Sequence, residues 1–237
     1  MKPKPFAIVN DIILPEALDT LEKIATPILF SSKDIAYPSL SGHIDVFLFQ
    51  HNNTLVAAPN TPSFYLSLFD THNIGYIFGE TPITVNNCTA YNVAANNSIA
   101  LHNFKHTDSV VMKTIKHLNQ INCSQAYSRC STLLLENAAI TSDKGIEKAL
   151  IKNNIDTTIS KLLYVNQKDI LLPGHTMGCF GGCCGITDNT VVINGNLDHH
   201  SQGNEIRQFI AKNGYNIIEL SNTALLDVGS IFFVKDK

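Results

Sequence analysis

The chain has 237 residues, of which 44% are hydrophobic and 16% are charged, a balance that excludes a disordered protein and favours a well-buried core. The formal net charge is −3 and the lysines and arginines are scattered, so no basic stripe is present to bind nucleic-acid phosphates. No apolar run approaches the roughly 20 residues that a membrane span needs, and acidic residues interrupt any signal-peptide core. We therefore expect a cytoplasmic protein whose six cysteines are mostly reduced thiols, with neither nucleic acid nor membrane as a partner.

The first predicted elements are a helix over residues 15–24 and a strand over residues 27–30, with no hairpin before them. Four hairpins follow, each with Asn or Asp in its turn, because these residues tolerate a positive φ. A fifth hairpin is predicted at residues 224–227 with 230–234, where Gly229 supplies the turn. The strand pairs of the first four hairpins are residues 46–49 with 54–57, 90–93 with 98–101, 132–135 with 138–141, and 185–187 with 190–193.

Each of the first four hairpins is followed by an Asn or Asp that could cap a helix, and then by a helical segment. The predicted caps are Asn60, Asn103, Asp143 and Asn196. The predicted helices span residues 62–70, 109–118, 144–152 and 202–212, and short closing strands are predicted at 74–78, 156–160 and 216–220. This order predicts an α/β fold built from one repeated ββαβ unit.

The two ends of the chain complement each other. The last hairpin has no helix after it, and the first helix and strand have no hairpin before them. Joining the ends makes the N-terminal segment complete a fifth unit, and a closed ring leaves no exposed sheet edge. The alternative is an ordinary α+β domain in which similar hairpins recur.

Four motifs accompany the repeat: YPSLSGHID at 37–45, YSRCST at 127–132, ITSDKGI at 140–146 and GCFGGCCG at 178–185. Together with a ring of five ββαβ units, they resemble a distant, uncharacterised bacterial branch of the guanidine-group-modifying enzymes, also called penteins. That family includes arginine and agmatine deiminases, dimethylarginine dimethylaminohydrolase and amidinotransferases. The resemblance implies a five-bladed α/β propeller that forms a single domain over residues 1–237.

The resemblance also implies site residues. In that family a Cys thiolate attacks the guanidinium carbon, a His moves protons and carboxylates bind the cation. His43 and Asp45 are similar to the family's His-x-Asp element, and Cys183 or Cys184 would correspond to the nucleophile.

Two further residues could join His43 and Asp45 in such a site. His43 and Asp45 lie two apart at a predicted strand start and would share a face, the alternative being a pair that satisfies backbone donors. Arg129 precedes the third hairpin in the same register, so it could hold a ligand carboxylate while Asp45 holds the cation, or it could simply pair with Asp45. Tyr127 would lie on the same face as Arg129 and add a hydroxyl or a packing wall.

The glycine-rich run at 178–185 brackets three cysteines. Gly181 and Gly182 would allow close backbone approach and expose N–H groups to a substrate. A nucleophilic thiol there would need a lowered pKa, whereas most free cysteines are small buried hydrophobes. His175, Cys179, Cys183 and Cys184 offer zinc-type ligands but no recognised spacing, and we predict neither a metal nor a cofactor.

The sequence thus leaves two functions open, both with a small guanidine-like or amino-acid-like ligand on the axis of the ring. One is a hydrolase or transferase acting on a C–N bond through a Cys nucleophile, similar to the amidinohydrolases and deiminases. The other is a non-catalytic protein of the same fold that binds a small ligand or a protein partner.

Overall fold

The computed structural model describes residues 4–153 and 159–236. The N-terminal segment contains β1 (Phe6–Asn10), α1 (Pro15–Ile24) and β2 (Thr26–Phe30). The next elements are α2 (Ile44–Phe47), β3 (Leu48–His51), β4 (Thr54–Ala57), α3 (Ser63–Thr71) and β5 (Ile77–Phe78), then β6 (Ala94–Ala95), β7 (Ile99–His102), α4 (Ser109–Thr114) and β8 (Asn119–Asn122). The second half contains α5 (Ser128–Ser131), β9 (Thr132–Leu134), β10 (Ala138–Thr141), α6 (Lys144–Lys152), β11 (Lys161–Tyr164), β12 (Ile170–Leu171), β13 (Cys184–Thr187), β14 (Thr190–Ile193), α7 (Gly203–Lys212), β15 (Asn216–Glu219), β16 (Leu225–Leu226) and β17 (Phe232–Val234).

These elements form a mixed α/β structure in which one topology recurs. Among the described residues, five three-stranded sheets have the orders β17-β1-β2, β3-β4-β5, β6-β7-β8, β9-β10-β11 and β13-β14-β15. In each sheet the first two strands are antiparallel and the last two are parallel. A helix connects the two parallel strands, as a parallel pair requires.

The two ends of the chain share one sheet. β17 pairs antiparallel with β1, with Phe6 opposite Val234 and Ile8 opposite Phe232, and β1 pairs parallel with β2. The sheet therefore has the same strand order as the other four, although its members come from opposite ends of the sequence.

The predicted fifth hairpin is wrong. Residues 225–226 form β16, which pairs parallel with β12 through Ile170 and Leu225 instead of folding back on β17. Gly229 does have a positive φ of 69°, but the turn around it leads from one sheet to another. A strand that pairs with a distant segment leaves no local turn signal for the sequence to reveal.

The central strands and the helices are buried as the fold requires. All four residues of β10 and of β7 are buried, which fits strands covered on both faces. The helices bury one stripe each, with Ile206 and Ile210 four residues apart on α7. No helix among the described residues is long and apolar enough to cross a bilayer.

The predicted local signals are correct at some positions and wrong at others. Asn52 and Asp188 have positive φ values of 52° and 47° in their hairpin turns, as expected. The Asp143 side chain caps α6 and the Asn196 side chain caps a short 3-10 turn. Asn60 caps no helix because its side-chain amide is bonded to Ile83: Nδ2 donates to the Ile83 carbonyl and Oδ1 accepts from the Ile83 backbone N–H.

Other boundaries also differ from the sequence prediction. α4 ends at Thr114 and is capped by Asp108, not by Asn103. The second hairpin begins at β6, four residues later than predicted. The closing strand predicted at 156–160 lies largely outside the described residues, and β11 follows it at Lys161–Tyr164.

Candidate functional site

The segments directly before the first strands of the five sheets meet one another. We call these segments the leading ends; they are residues 43–47, 89–93, 127–131, 180–183 and 227–231.

Hydrogen bonds join the leading ends into a closed circuit. Asn92 Nδ2 donates to the Asp45 carbonyl at 3.3 Å, and Asn92 Oδ1 accepts from the Arg129 backbone N–H at 2.9 Å. Arg129 Nη1 donates to the Gly181 carbonyl at 3.0 Å. Ser230 Oγ contacts the same carbonyl at 3.3 Å and donates to Asp45 Oδ2 at 2.7 Å. The circuit therefore passes through all five leading ends and returns to Asp45.

His43 and Asp45 lie at a helical turn, not at the strand start that the sequence predicts. Ile44–Phe47 forms α2, and His43 precedes it with an extended backbone. Residues two apart on a helix do not share a face, but His43 lies before the helix, so its ring still approaches the Asp45 carboxylate.

A third side chain joins this pair. His43, Asp45 and Cys130 each bring one ligand-type atom to within 4.8 Å of the others. Cys130 Sγ donates to Asp45 Oδ2 at 2.9 Å and lies 3.3 Å from Asn92 Nδ2. The three residues are 1%, 0% and 4% exposed, so the cluster is buried.

Three polar atoms of this cluster have no hydrogen-bond partner among the described residues. They are Nδ1 and Nε2 of His43 and Oδ1 of Asp45. A buried polar atom without a partner costs about 1–3 kcal/mol, so unpaired groups concentrated at one point indicate a place for a ligand.

The cluster lies at a cavity of about 630 Å³. The mouth includes Tyr37 and Met177, whose side chains are 49% and 44% exposed. The inner lining includes His43, Cys130 and Asp227, all buried. An apolar mouth above a few polar groups is the usual construction of a small-molecule site.

Burial controls the charges in the cavity base. It raises the pKa of the Asp45 carboxyl, and the neighbouring His43 opposes that rise. Burial also raises the pKa of the Cys130 thiol well above its ordinary value, and the Asp45 charge adds to the effect. Cys130 is therefore a thiol, not a thiolate, in the unliganded protein.

Cys179 and Asp227 form a second polar group in the lining. The Cys179 backbone N–H donates to Asp227 Oδ2 at 2.8 Å, and the Gly229 N–H donates to Oδ1 at 3.0 Å. Gln167 Nε2 lies 3.2 Å from Cys179 Sγ. Burial, with a smaller contribution from Asp227, raises the pKa of the Cys179 thiol to about 12.

Cys183 and Cys184 lie away from this cavity. Both are fully buried in an apolar cluster with residues such as Leu133 and Ile193, and neither lines the cavity. The Cys184 thiol donates to the Phe180 carbonyl at 3.1 Å, and burial raises its pKa to about 12. The structure does not bring these thiols to the cavity that His43 lines.

The glycines next to these cysteines are needed for close packing. A Cβ on Gly181 would meet the Arg129 backbone carbonyl, and one on Gly182 would meet the Asp227 carboxylate. The Gly182 carbonyl also accepts the Ser230 N–H at 2.8 Å. Both glycines thus let the fourth leading end approach its neighbours.

Arg129 and Tyr127 line two different cavities. The Arg129 guanidinium donates to the Gly181 and Cys184 carbonyls at 3.0 Å each and lies 5.8 Å from the Phe232 ring centre. It lines a separate groove of about 510 Å³ and makes no ion pair with Asp45 among the described residues. Tyr127 lines the cavity that contains His43.

The zinc-type residues in and before the glycine-rich run do not converge on one point. His175 and Cys179 line the cavity and Cys183 does not, while His175 Nε2 bonds Ser39 Oγ at 2.8 Å. Across residues 4–153 and 159–236, the one group with metal-ligand spacing is His43, Asp45 and Cys130.

Sequence reasoning missed the roles of Cys130 and Asp227. Cys130 follows Arg129 directly, but the sequence predicts a packed thiol there, as for most free cysteines, and Asp227 lies inside the wrongly predicted hairpin. Their positions in the third and fifth leading ends were the available signal.

Comparisons with solved structures identify the fold. SxtG, an amidinotransferase of the saxitoxin pathway from Microseira wollei, is 9% identical with a TM-score of 0.59, covering 99% of this chain and 95% of that one. The agmatine deiminase of C. jejuni is 11% identical with a TM-score of 0.57, covering 99% and 94%. The DDAH of Pseudomonas aeruginosa, complexed with citrulline, is 8% identical with a TM-score of 0.50, covering 92% of each chain.

This chain therefore has the fold of the guanidine-group-modifying enzymes, the penteins, as the sequence predicts. At these identities the likeness shows the fold alone. No curated protein matches the sequence. The chain belongs to the family of unknown function DUF6873, whose model matches residues 8–232.

Proposed function

We propose that the chain forms one five-bladed ring and that the cavity at its axis binds a small guanidine-like or amino-acid-like molecule and acts on one of its C–N bonds. The observation that carries the proposal is the buried cluster of His43, Asp45 and Cys130 with unpartnered polar atoms at a cavity. The fold supports the reaction class, because the similar structures include an amidinotransferase and an agmatine deiminase.

Cation binding falls to the two buried carboxylates. One oxygen of Asp45 has no hydrogen-bond partner among the residues that the structure describes, and Asp227 lines the cavity. A planar guanidinium or amidinium would pair with such oxygens through charge-assisted hydrogen bonds. Tyr127 would form part of the wall beside the ligand, and Arg129 would hold the Gly181 and Cys184 carbonyls in position rather than contact the ligand.

Cys130 takes the nucleophilic role, because among the cysteines that line the cavity it is the one beside Asp45 and His43, whereas Cys183 and Cys184 are packed in the core. A bound cation would favour loss of the thiol proton, which Asp45 or His43 would accept. The sulfur would then bond to the guanidinium carbon, ammonia or an amine would leave with a proton from His43, and water would cleave the thiouronium-type adduct. The net reaction consumes one water and releases one amine and a ureido product.

The experiment is an amine-release assay with agmatine, arginine and a dimethylated arginine. Wild-type protein should turn over at least one of them, and Cys130→Ser should lose at least about 100-fold in kcat/KM. Cys123→Ser, which changes a buried thiol outside the cavity, is the matched control and should retain activity. A Cys130→Ser variant that keeps full turnover would remove Cys130 as the nucleophile.

A second function is a non-catalytic binding protein of the same fold. The observation that favours it is that the Cys130 thiol bonds Asp45, while neither ring nitrogen of His43 has a hydrogen-bond partner within residues 4–153 and 159–236. This function predicts that the same compounds bind without turnover and that Cys130→Ser binds them equally well. Calorimetric titration beside the release assay separates the two functions.

A further inference from the structure

The buried cluster has the composition of a transition-metal site. It offers one imidazole nitrogen, one carboxylate oxygen and one thiol sulfur from three residues that are 4% exposed or less. Nitrogen with sulfur suits zinc and similar borderline ions, whereas calcium and magnesium prefer oxygen ligands alone.

The cluster also has side-chain donor atoms that are free to bind a metal ion. Both ring nitrogens of His43 and one oxygen of Asp45 have no partner in the described structure. Ligand atoms in a tetrahedral zinc site lie about 3.5 Å apart, given bonds of about 2.0–2.3 Å. Here they lie within 4.8 Å of one another, so small side-chain rotations would bring them to that spacing.

We propose that His43, Asp45 and Cys130 bind one divalent ion of the zinc class, with the fourth coordination position open to the cavity. Two of the three ligands line that cavity, so a water or a ligand atom can reach the fourth position. Three protein ligands with one open position distinguish reactive zinc sites from closed structural ones. The site is distinct from the zinc set considered in the glycine-rich run.

The net charge of the cluster and the hydrogen bonds around its side chains are compatible with a bound divalent ion. Binding releases the Cys130 thiol proton to solvent, and the dication with one thiolate and one carboxylate then leaves no net buried charge. Asn92 Nδ2 already lies 3.3 Å from Cys130 Sγ, and Ser230 Oγ donates to Asp45 Oδ2 at 2.7 Å. Such second contacts orient ligands at metal sites.

The inference goes beyond the proposed function and competes with it, because a metal on Cys130 would prevent the sulfur from attacking a substrate. Zinc should therefore inhibit any metal-free turnover. A protein that binds zinc and turns nothing over would support the metal site while contradicting the proposed enzyme.

The test is metal titration of the reduced full-length protein after chelator treatment. We expect one equivalent of Zn²⁺ to bind and to raise the thermal unfolding temperature. Co²⁺ in its place should give a thiolate-to-cobalt charge-transfer band and the intense visible bands of tetrahedral cobalt. Wild-type protein that binds neither ion at micromolar concentration would overturn the proposal.

Variants locate the ion. Cys130→Ser should remove the charge-transfer band, and His43→Gln should weaken Zn²⁺ binding at least about 10-fold while retaining the thiolate band at high cobalt. Cys123→Ser should bind as wild type does. A charge-transfer band that persists in Cys130→Ser would place the metal on another thiol and overturn the assignment. If Cys130→Ser fails to fold, as circular dichroism would reveal, the loss of affinity in His43→Gln decides.

Discussion

His102, at the end of β7, is a buried histidine with a structural role. Its Nε2 lies 2.7 Å from the Ala126 carbonyl and its Nδ1 lies 2.6 Å from Thr107 Oγ1, so both nitrogens are satisfied by a neutral ring. Burial lowers the pKa of His102 from 6.5 to about 4, and the bond to Ala126 partly opposes that shift.

A lowered histidine pKa makes stability depend on pH. Above about pH 6.5 the His102 ring is neutral in both the folded and the unfolded chain, so its contribution to the free energy of unfolding is fully present. Below that value the unfolded chain binds a proton at His102 while the folded chain does not, so the contribution is lost. The free energy of unfolding should therefore fall by about 2 kcal/mol between pH 7 and pH 5 through this residue. Urea denaturation at the two pH values measures the loss, and His102→Gln should lack this contribution. An unchanged pH slope in the variant would contradict the assignment.

Sequence spacing reveals some of the candidate site residues and cannot reveal others. The His43-x-Asp45 spacing and the glycine-rich run stand out in the sequence, and the structure places the first at the cavity base and the second against Arg129 and Asp227. Cys130 could not be distinguished from other cysteines, because its role depends on Asp45, which lies 85 positions earlier in the chain.

At the scale of elements, the leading ends were the hardest to predict. α2 and α5 contain four residues each, too few for a helical period to appear in a pattern. Longer elements were easier: α1 and α6 begin and end where the sequence predicts, because each buries residues four apart on one face.

Gly229 tests how tightly the fifth leading end packs against the first. Its φ is 69°, and an added Cβ would meet the His43 side chain and backbone. Gly214 has a φ of 85° with open space around a Cβ, so it is the matched control. Gly214→Ala should cost about 1–2 kcal/mol from backbone strain alone, and Gly229→Ala about 2 kcal/mol more from overpacking. Urea unfolding compares them; equal losses would contradict the close contact.

For the whole molecule, the recurring unit and the joining of the two chain ends could be predicted, whereas the partner of β16 could not. The Asn and Asp turns identified four hairpins, since turn chemistry is local. The pairing of β16 with β12 joins segments remote in sequence, and burial rather than turn chemistry selects such a pair.

Convergence of the five leading ends brings side chains from distant parts of the chain together. Asp45, Cys130 and Ser230 come from the leading ends of three different sheets and meet within hydrogen-bonding distance. A ligand bound at this point would contact side chains from several leading ends at once. Replacing His43 should therefore weaken its binding, even though the other contacting side chains belong to distant parts of the chain.

The most direct test follows the His43 ring by nitrogen-15 NMR in metal-free protein during titration with agmatine and arginine. The chain has nine histidines, and the His43 signals are assigned by their loss in His43→Gln. We expect saturable shifts of the His43 signals, because both ring nitrogens lack a partner in the described part of the chain, with no change at the exposed His106 and His199. His43 signals that stay fixed up to millimolar concentrations of both compounds would contradict a guanidine-type ligand site at this cavity.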